Sequence, residues 1–136
     1  MGGRVQRRLK GATTLMCLGA GTVGAAATTF LCPGMQTSNA TEANRQALVP
    51  RPEVLIGMRV RTTTAQPAGG SLVFTVRKNG ADADLVVTIA ANGAAGAYAA
   101  TGAVAFAADD LVSIKITNND GANSSAGIGS VSFIWA

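Results

Sequence analysis

The sequence contains no histidine, which removes the most common general base and the most common metal-ligating side chain. Catalysis by a Ser–His or Cys–His pair within this chain is therefore excluded. Aromatic residues make up only 4% of the chain and charged residues 13%, a low charged fraction for a soluble domain. We expect a protein that is not an enzyme and needs no cofactor, with a weakly charged surface that contacts other protein subunits.

Cysteine is also rare. Cys17 and Cys32 are too few for a disulfide framework, although a single bridge between them stays open. At 136 residues the chain is long enough to bury one sizeable core without a covalent link. We interpret both cysteines as small buried hydrophobic residues.

Acidic residues are missing from the first ten positions, where four of the eleven basic residues lie: Arg4, Arg7, Arg8 and Lys10. The other seven basic residues equal the seven acidic residues in number, so the net charge of +4 belongs to this segment. We predict a basic N-terminal arm at residues 1–10 and a single domain at residues 11–136. A short basic terminus favours docking on an acidic surface, and a solvated tail that only aids solubility is the alternative.

The segment after these charges, residues 11–27, reads "GATTLMCLGAGTVGAAA". Basic, then apolar, then small residues are the pattern of a secretory signal. However, threonine and glycine interrupt the apolar run, which lacks a leucine-rich block and is too polar and too short to span a membrane. We therefore expect this segment to be part of the folded domain, and we expect no membrane partner.

Helical periodicity is almost absent, whereas apolar and polar residues alternate in short runs between Gly, Pro, Asn and Asp. This pattern predicts an all-β protein of about eight antiparallel strands, and a jelly-roll sandwich in particular, since the Cys…Trp…Cys arrangement of immunoglobulin domains is missing. The predicted strands lie within residues 12–18, 27–33, 45–50, 54–62, 71–80, 84–90, 110–117 and 128–135, with a weaker one at 96–107.

The alternation also predicts which side chains face the core. The run at residues 54–62 is predicted to bury Val54, Ile56, Met58 and Val60, with Arg59 and Arg61 on the opposite face. In the run at residues 110–117, Ser113 is predicted to face water. Asn79-Gly80 predicts a tight turn, because both residues tolerate a positive φ.

Two pairs of carboxylates, Asp82 with Asp84 and Asp109 with Asp110, are candidates for a glycosidase or calcium site. The loop "TNNDGANSS" at residues 117–125 has the composition of a calcium loop but one carboxylate, Asp120. We interpret the two pairs as turn and strand-end residues that keep sheet edges soluble and residues 117–125 as a plain loop, and we predict no metal site. Direct binding of nucleic acid is not expected, because no basic face carries aromatic platforms.

Three segments carry a family resemblance: "CPG" at residues 32–34, residues 49–89 and residues 113–135. They combine a proline-bounded strand entry, the "FTVRKNG" hairpin, the "LVVTI" strand and a closing strand rich in Ser, Ala and Gly. Over residues 27–136 the sequence resembles the small jelly-roll proteins and fibre-tip domains of tailed bacteriophages and prophage elements. The resemblance implies a homotrimer that acts as a capsid decoration (cement) protein or as a receptor-binding tip, without catalytic residues.

We therefore expect a structural virion protein that trimerises on a phage head and stabilises it, made in the host cytoplasm and located on the capsid surface. Its partners would be copies of itself and the major capsid protein or other virion proteins. The expected partner-binding residues are Arg4, Arg7, Arg8 and Lys10. A receptor-binding, collar or tail-fibre tip module is the first alternative, and a secreted bacterial adhesin or lectin is the second.

Overall fold

Strands make up almost all of the regular structure. The computed structural model describes residues 13–136, and it describes side chains from residue 21 onward. Within those ranges the only helix is a single 3-10 turn, Glu42–Arg45, and no helix is long and apolar enough to cross a membrane. The strands are β1 (Thr13–Gly21), β2 (Thr28–Leu31), β3 (Ala47–Leu48), β4 (Glu53–Thr62), β5 (Leu72–Lys78), β6 (Ala81–Ile89), β7 (Gly96–Phe106), β8 (Leu111–Asn118) and β9 (Ile128–Trp135).

The strands form two antiparallel sheets in jelly-roll order. Sheet I has the order β1-β9-β4-β7, and sheet II has the order β2-β8-β5-β6, with the short β3 also paired to β8. The chain repeatedly crosses from one sheet to the other, so each sheet covers the apolar face of the other. The predicted all-β jelly-roll sandwich is confirmed.

Part of the segment with a signal-like pattern contributes a strand to this sandwich. β1 pairs with β9, with Thr13 opposite Ile134 and Cys17 opposite Ser130. The first and last strands of the fold are therefore neighbours in sheet I.

The hydrophobic core lies between the two sheets and is formed by the inward residues of the alternating runs. Trp135 lies at its margin, where its ring meets the rings of Phe106 and Phe133 edge-on, at centroid distances of 5.7 and 5.9 Å. The largest fully buried apolar side chains are Leu31, Leu55, Met58, Leu72, Phe74, Leu85, Ile89, Ile114, Ile116 and Phe133.

The predicted inward set of β4 is wrong at its first two positions. Leu55 is fully buried, whereas Val54 and Ile56 are only half-buried. The register of β4 shifts between Leu55 and Gly57 against both neighbouring strands, and such a bulge moves the preceding residues to the other parity. After the bulge the alternation is as predicted, with Arg59 and Arg61 on the outer face.

The turn between β5 and β6 is confirmed at Asn79-Gly80. Both residues have a positive φ, 50° and 78°, as a two-residue hairpin turn of this kind requires. The predicted weak strand is the longest one: β7 spans 11 residues at the edge of sheet I.

Cys32 agrees with its interpretation as a buried apolar residue. Its side chain lies in the interior after β2, and burial raises the pKa of the thiol, although the nearby charge of Arg45 opposes this. Cys17 lies in β1, in the range for which only the backbone is described.

Candidate functional site

The four residues predicted to bind a partner lie outside the described residues. Arg4, Arg7, Arg8 and Lys10 all precede Thr13, the first residue of β1. The predicted boundary between the arm and the domain, at residues 10 and 11, also lies outside the described residues. Candidate sites within the described part of the chain are therefore the outer faces of the two sheets and the loops at the end of the sandwich.

The outer face of sheet II holds a compact group of charges, here called the Arg77 cluster: Arg77, Glu42, Asp82, Lys115 and Ser113. Arg77 donates two hydrogen bonds to Glu42, from Nε to Oε1 at 2.9 Å and from Nη2 to Oε2 at 2.8 Å. Its Nη1 donates to Asp82 at 2.7 Å, and Lys115 donates to the other oxygen of Asp82 at 2.7 Å. The hydroxyl of Ser113 donates to Glu42 at 2.8 Å.

This cluster fastens the 3-10 turn to the sheet. Glu42 is the first residue of that turn, while the other members belong to β5, β6 and β8. Ser113 is consequently buried, so its predicted exposure to water is wrong. The guanidinium of Arg77 also lies 5.7 Å from the ring centre of Phe30 in β2, a distance typical of a cation–π contact. The Arg77 cluster and its contact with Phe30 therefore connect the 3-10 turn to the four strands β2, β8, β5 and β6 of sheet II.

The electrostatics of the cluster favour its charged forms. Hydrogen bonds from Arg77 are the main cause that lowers the pKa of Glu42, against the opposing effect of burial. The hydrogen bond from Lys115, followed by that from Arg77, lowers the pKa of Asp82. The hydrogen bonds of Arg77 to Glu42, and then to Asp82, raise the pKa of Arg77 above its ordinary range, although burial opposes this. Because each charge is matched by a neighbour, the cluster acts as a structural fastening and leaves little net charge for a ligand.

The loop after β8 is built around Asp120, whose side chain is fully buried. One carboxylate oxygen accepts hydrogen bonds from the backbone N–H groups of Ala122 and Asn123, both at 2.9 Å, and the other accepts one from Gly69 at 3.1 Å. These bonds, led by that from Ala122, lower the pKa of Asp120. Asp120 therefore organises the interior of two loops, a role that its interpretation as part of a plain loop did not include.

The carboxylates of the two predicted pairs make different contacts and do not act together. Asp82 belongs to the Arg77 cluster, whereas Asp84 is exposed on β6. Asp110 accepts hydrogen bonds from the side chain of Asn79 and the backbone of Ala107, which lower its pKa and fix the turn before β8. Across residues 13–136, no group of three or more Asp, Glu or Cys side chains is arranged to hold a metal ion.

The outer face of sheet I has a different character. Arg59 and Arg61 project from β4, which is flanked by β7 and β9. Arg59 lies opposite Ala99 and Ser132, and Arg61 lies opposite Ala97 and Ser130. These small side chains leave a shallow groove around the two arginines, bounded at one end by Ile134.

The alternating pattern of residues 54–62 correctly predicted that Arg59 and Arg61 face outward, but the two arginines were not predicted to form a site. Alternating arginines on a strand are visible in "MRVRT", and this is the only signal that the sequence offers. That the directly opposed residues of the neighbouring strands are Ala and Ser depends on the sheet order, which residue spacing does not reveal.

No protein-family model matches the sequence, and no curated protein matches it. Among solved structures, the chain is similar to a cycloisomaltooligosaccharide glucanotransferase from Paenibacillus sp. in complex with cycloisomaltoheptaose, with 13% sequence identity and a TM-score of 0.33. The match covers 63% of this chain and 12% of the other, so the chain spans about an eighth of the enzyme's length. A likeness at this level carries no functional information about the chain.

Proposed function

We propose that the chain is a structural virion protein of a tailed bacteriophage, which decorates the capsid as a homotrimer and stabilises the head. The observation that supports this best is a jelly-roll sandwich preceded in sequence by four basic residues without an acid among them. Such a domain offers broad faces for protein contacts, and a basic segment adds attraction to an acidic shell. The chain would be made in the host cytoplasm and would act on the capsid surface.

The charge distribution of the domain supports a passive role of this kind. Acids and bases on sheet II neutralise one another in the Arg77 cluster, and the sequence has no histidine for acid–base catalysis. The positive charges of Arg4, Arg7, Arg8 and Lys10 then stand out as the basic segment available to a partner. Ordering of this segment on the shell would contribute affinity at an entropic cost.

The test is whether the chain is part of phage particles and in what amount. Particles are purified, and the chain is quantified against the major capsid protein. A ratio near that of a capsid lattice protein supports decoration, and a few copies per particle indicate a tail or fibre-tip position instead. Absence from purified particles would overturn the proposal.

A second experiment examines the arm. Purified chain, with or without residues 1–10, is added to particles that lack it, and bound chain is measured as salt is raised. We expect binding of the full chain to fall with salt, because salt screens exposed charge pairs, and we expect the shortened chain to bind less at every salt concentration. Full decoration by the shortened chain at physiological salt would show that the arm is not needed.

A further inference from the structure

The outer face of sheet I holds two arginines that form no ion pair within the described part of the chain. Arg59 and Arg61 are both exposed, and they lie two residues apart on the same face of β4. Beside Arg61, Gly129 of β9 leaves room for the guanidinium: a Cβ at that position would lie only 3.0 Å from its Nη1. The arginine side chain therefore lies close over the neighbouring strand and keeps its donors at the surface of the groove.

No carboxylate in the described part of the chain pairs with either arginine. By contrast, the other described basic residues are engaged. Arg51 pairs with Glu53 at 3.0 Å, Lys78 lies 3.7 Å from Asp110, and Arg77 and Lys115 belong to the Arg77 cluster. Arg45 donates its Nε–H to the carbonyl of Thr37 at 2.7 Å. Arg59 and Arg61 are thus the basic residues that sheet I presents for an external anion.

We infer that this face binds an extended acidic segment of a partner protein, with carboxylates at alternate positions meeting Arg59 and Arg61. Residues two apart in a strand are spaced by about 6.8 Å, and alternate side chains of an extended peptide have the same spacing and the same side. A peptide laid along β4 therefore matches the two arginines in register. Each guanidinium offers the planar fork of donors that suits a carboxylate.

The surrounding residues favour a peptide over a nucleic acid. Ala97, Ala99, Ser130 and Ser132 are small, so a backbone can approach the sheet closely, and the serine hydroxyls are able to donate or accept hydrogen bonds. The nearby ring of Tyr98 packs against the core, and its hydroxyl donates to the carbonyl of Ala94 at 2.6 Å. The described part of this face therefore offers no ring on which a base would stack.

This inference deepens the proposed function and rests on it for the kind of partner, since it names the face that contacts a neighbouring virion protein. The two are separable. Binding of a model peptide tests the face without particles, and the presence of the chain in particles tests the function without the peptide.

The experiment is a titration of the full-length chain, labelled with 15N, followed by amide chemical shifts at low ionic strength. The probes are a Gly/Ser peptide with two glutamates at alternate positions and an isomer with the two glutamates adjacent. We expect the alternate peptide to shift amides of β4, β7 and β9 and to bind about threefold more tightly than the isomer. The variant R59Q/R61Q should bind it about fivefold more weakly, as two exposed ion pairs allow.

Arg51→Gln is the matched control, because Arg51 is exposed and already paired within the fold. It should leave the affinity unchanged, and the amide spectrum of each variant shows whether it is folded. The inference is overturned if no peptide binds, if shifts are confined to residues 1–10, or if the isomers bind equally well. It is also overturned if R59Q/R61Q binds as the parent does. Tighter binding of a short single-stranded oligonucleotide at the same amides would assign the face to nucleic acid instead.

Discussion

Glu42 shows how much one side chain contributes to this surface. It accepts hydrogen bonds from two nitrogens of Arg77 and from the hydroxyl of Ser113, and only 16% of its side chain is exposed. A carboxylate that accepts several bonds from charged and neutral donors is held more strongly than an exposed ion pair. Removal of its charge would leave Arg77 largely buried with one acidic neighbour in place of two.

We therefore predict that Glu42→Gln lowers the free energy of unfolding by about 1–3 kcal/mol at pH 7, because it weakens charge-assisted hydrogen bonds in a poorly solvated place. Urea unfolding followed by circular dichroism measures the change. Glu53→Gln is the control, since its partner Arg51 is 78% exposed, and such pairs contribute about 0–1 kcal/mol. Equal effects of the two substitutions would contradict the structural role of the Arg77 cluster.

The same residues predict an acid-sensitive stability. The pKa values of Glu42 and Asp82 are lowered in the fold from ordinary values of 4.5 and 3.8, so the unfolded chain takes up protons first as the pH falls. Their stabilising contribution is fully present above the ordinary pKa values and is lost as the pH falls through the lowered ones. Urea midpoints should therefore decrease below about pH 4.5, and the decrease should be smaller in Glu42→Gln. A decrease of the same size in that variant would contradict the assignment.

At the scale of the elements, turns and bulges set which residues meet. The hairpin of β5 and β6 needs a left-handed conformation at Gly80, with a φ of 78°, although a Cβ there would meet no atom within 4 Å. A larger residue at position 80 is therefore disfavoured by the backbone conformation and not by contact with neighbouring atoms. Gly121 is also open on all sides but lacks a positive φ, which makes it a suitable comparison.

We predict that Gly80→Ala lowers the free energy of unfolding by about 1–2 kcal/mol, the usual energy of forcing a residue with a Cβ into the left-handed region. Gly121→Ala should change it by less than about 0.5 kcal/mol, as for ordinary surface substitutions. Thermal or urea unfolding of both variants measures the difference. Similar values for the two would show that the turn relaxes to another conformation without loss.

The strands also show where sequence patterns are informative and where they are not. In β5, β6 and β9 the apolar residues at every second position are buried, as an alternating pattern indicates: Leu72, Phe74 and Val76, then Leu85, Val87 and Ile89, and Val131 and Phe133. In β4 the run "VLI" has no alternation, so its parity is undefined until the bulge at Leu55–Gly57 is known. Burial of Ser113 depends on Glu42, 71 residues away in sequence, and no local pattern contains that contact.

At the scale of the whole molecule, the two sheets differ in whether the charged side chains on their outer faces form ion pairs. Sheet II matches its charges internally, whereas sheet I presents Arg59 and Arg61 among small residues. The arginines and their alternation are visible in the sequence. That no described acidic side chain pairs with them follows from the order of the strands, since β7 and β9 come from distant parts of the chain.

Sheet order also predicts how amide hydrogens exchange with solvent. β4, β9, β5 and β8 each have partners on both sides, whereas β7 pairs only with β4. Amides of the four central strands should therefore exchange slowly, while in β7 every second amide should exchange much faster than its neighbours. Hydrogen exchange resolved by residue measures this pattern. Uniform protection along β7 would mean that a further chain covers this edge in solution.

The pairing of β1 with β9 has a consequence for the order of events during synthesis. β9 lies between β1 and β4, so sheet I lacks an inner strand until the last residues of the domain have left the ribosome. All strands of sheet II are present once β8 has been made. Its apolar face is fully covered only when β9 has joined sheet I. The domain therefore acquires its stable form only after β9 has been made. The slowest folding step is expected to be the pairing of β9 with β1, because these are the paired strands farthest apart in sequence.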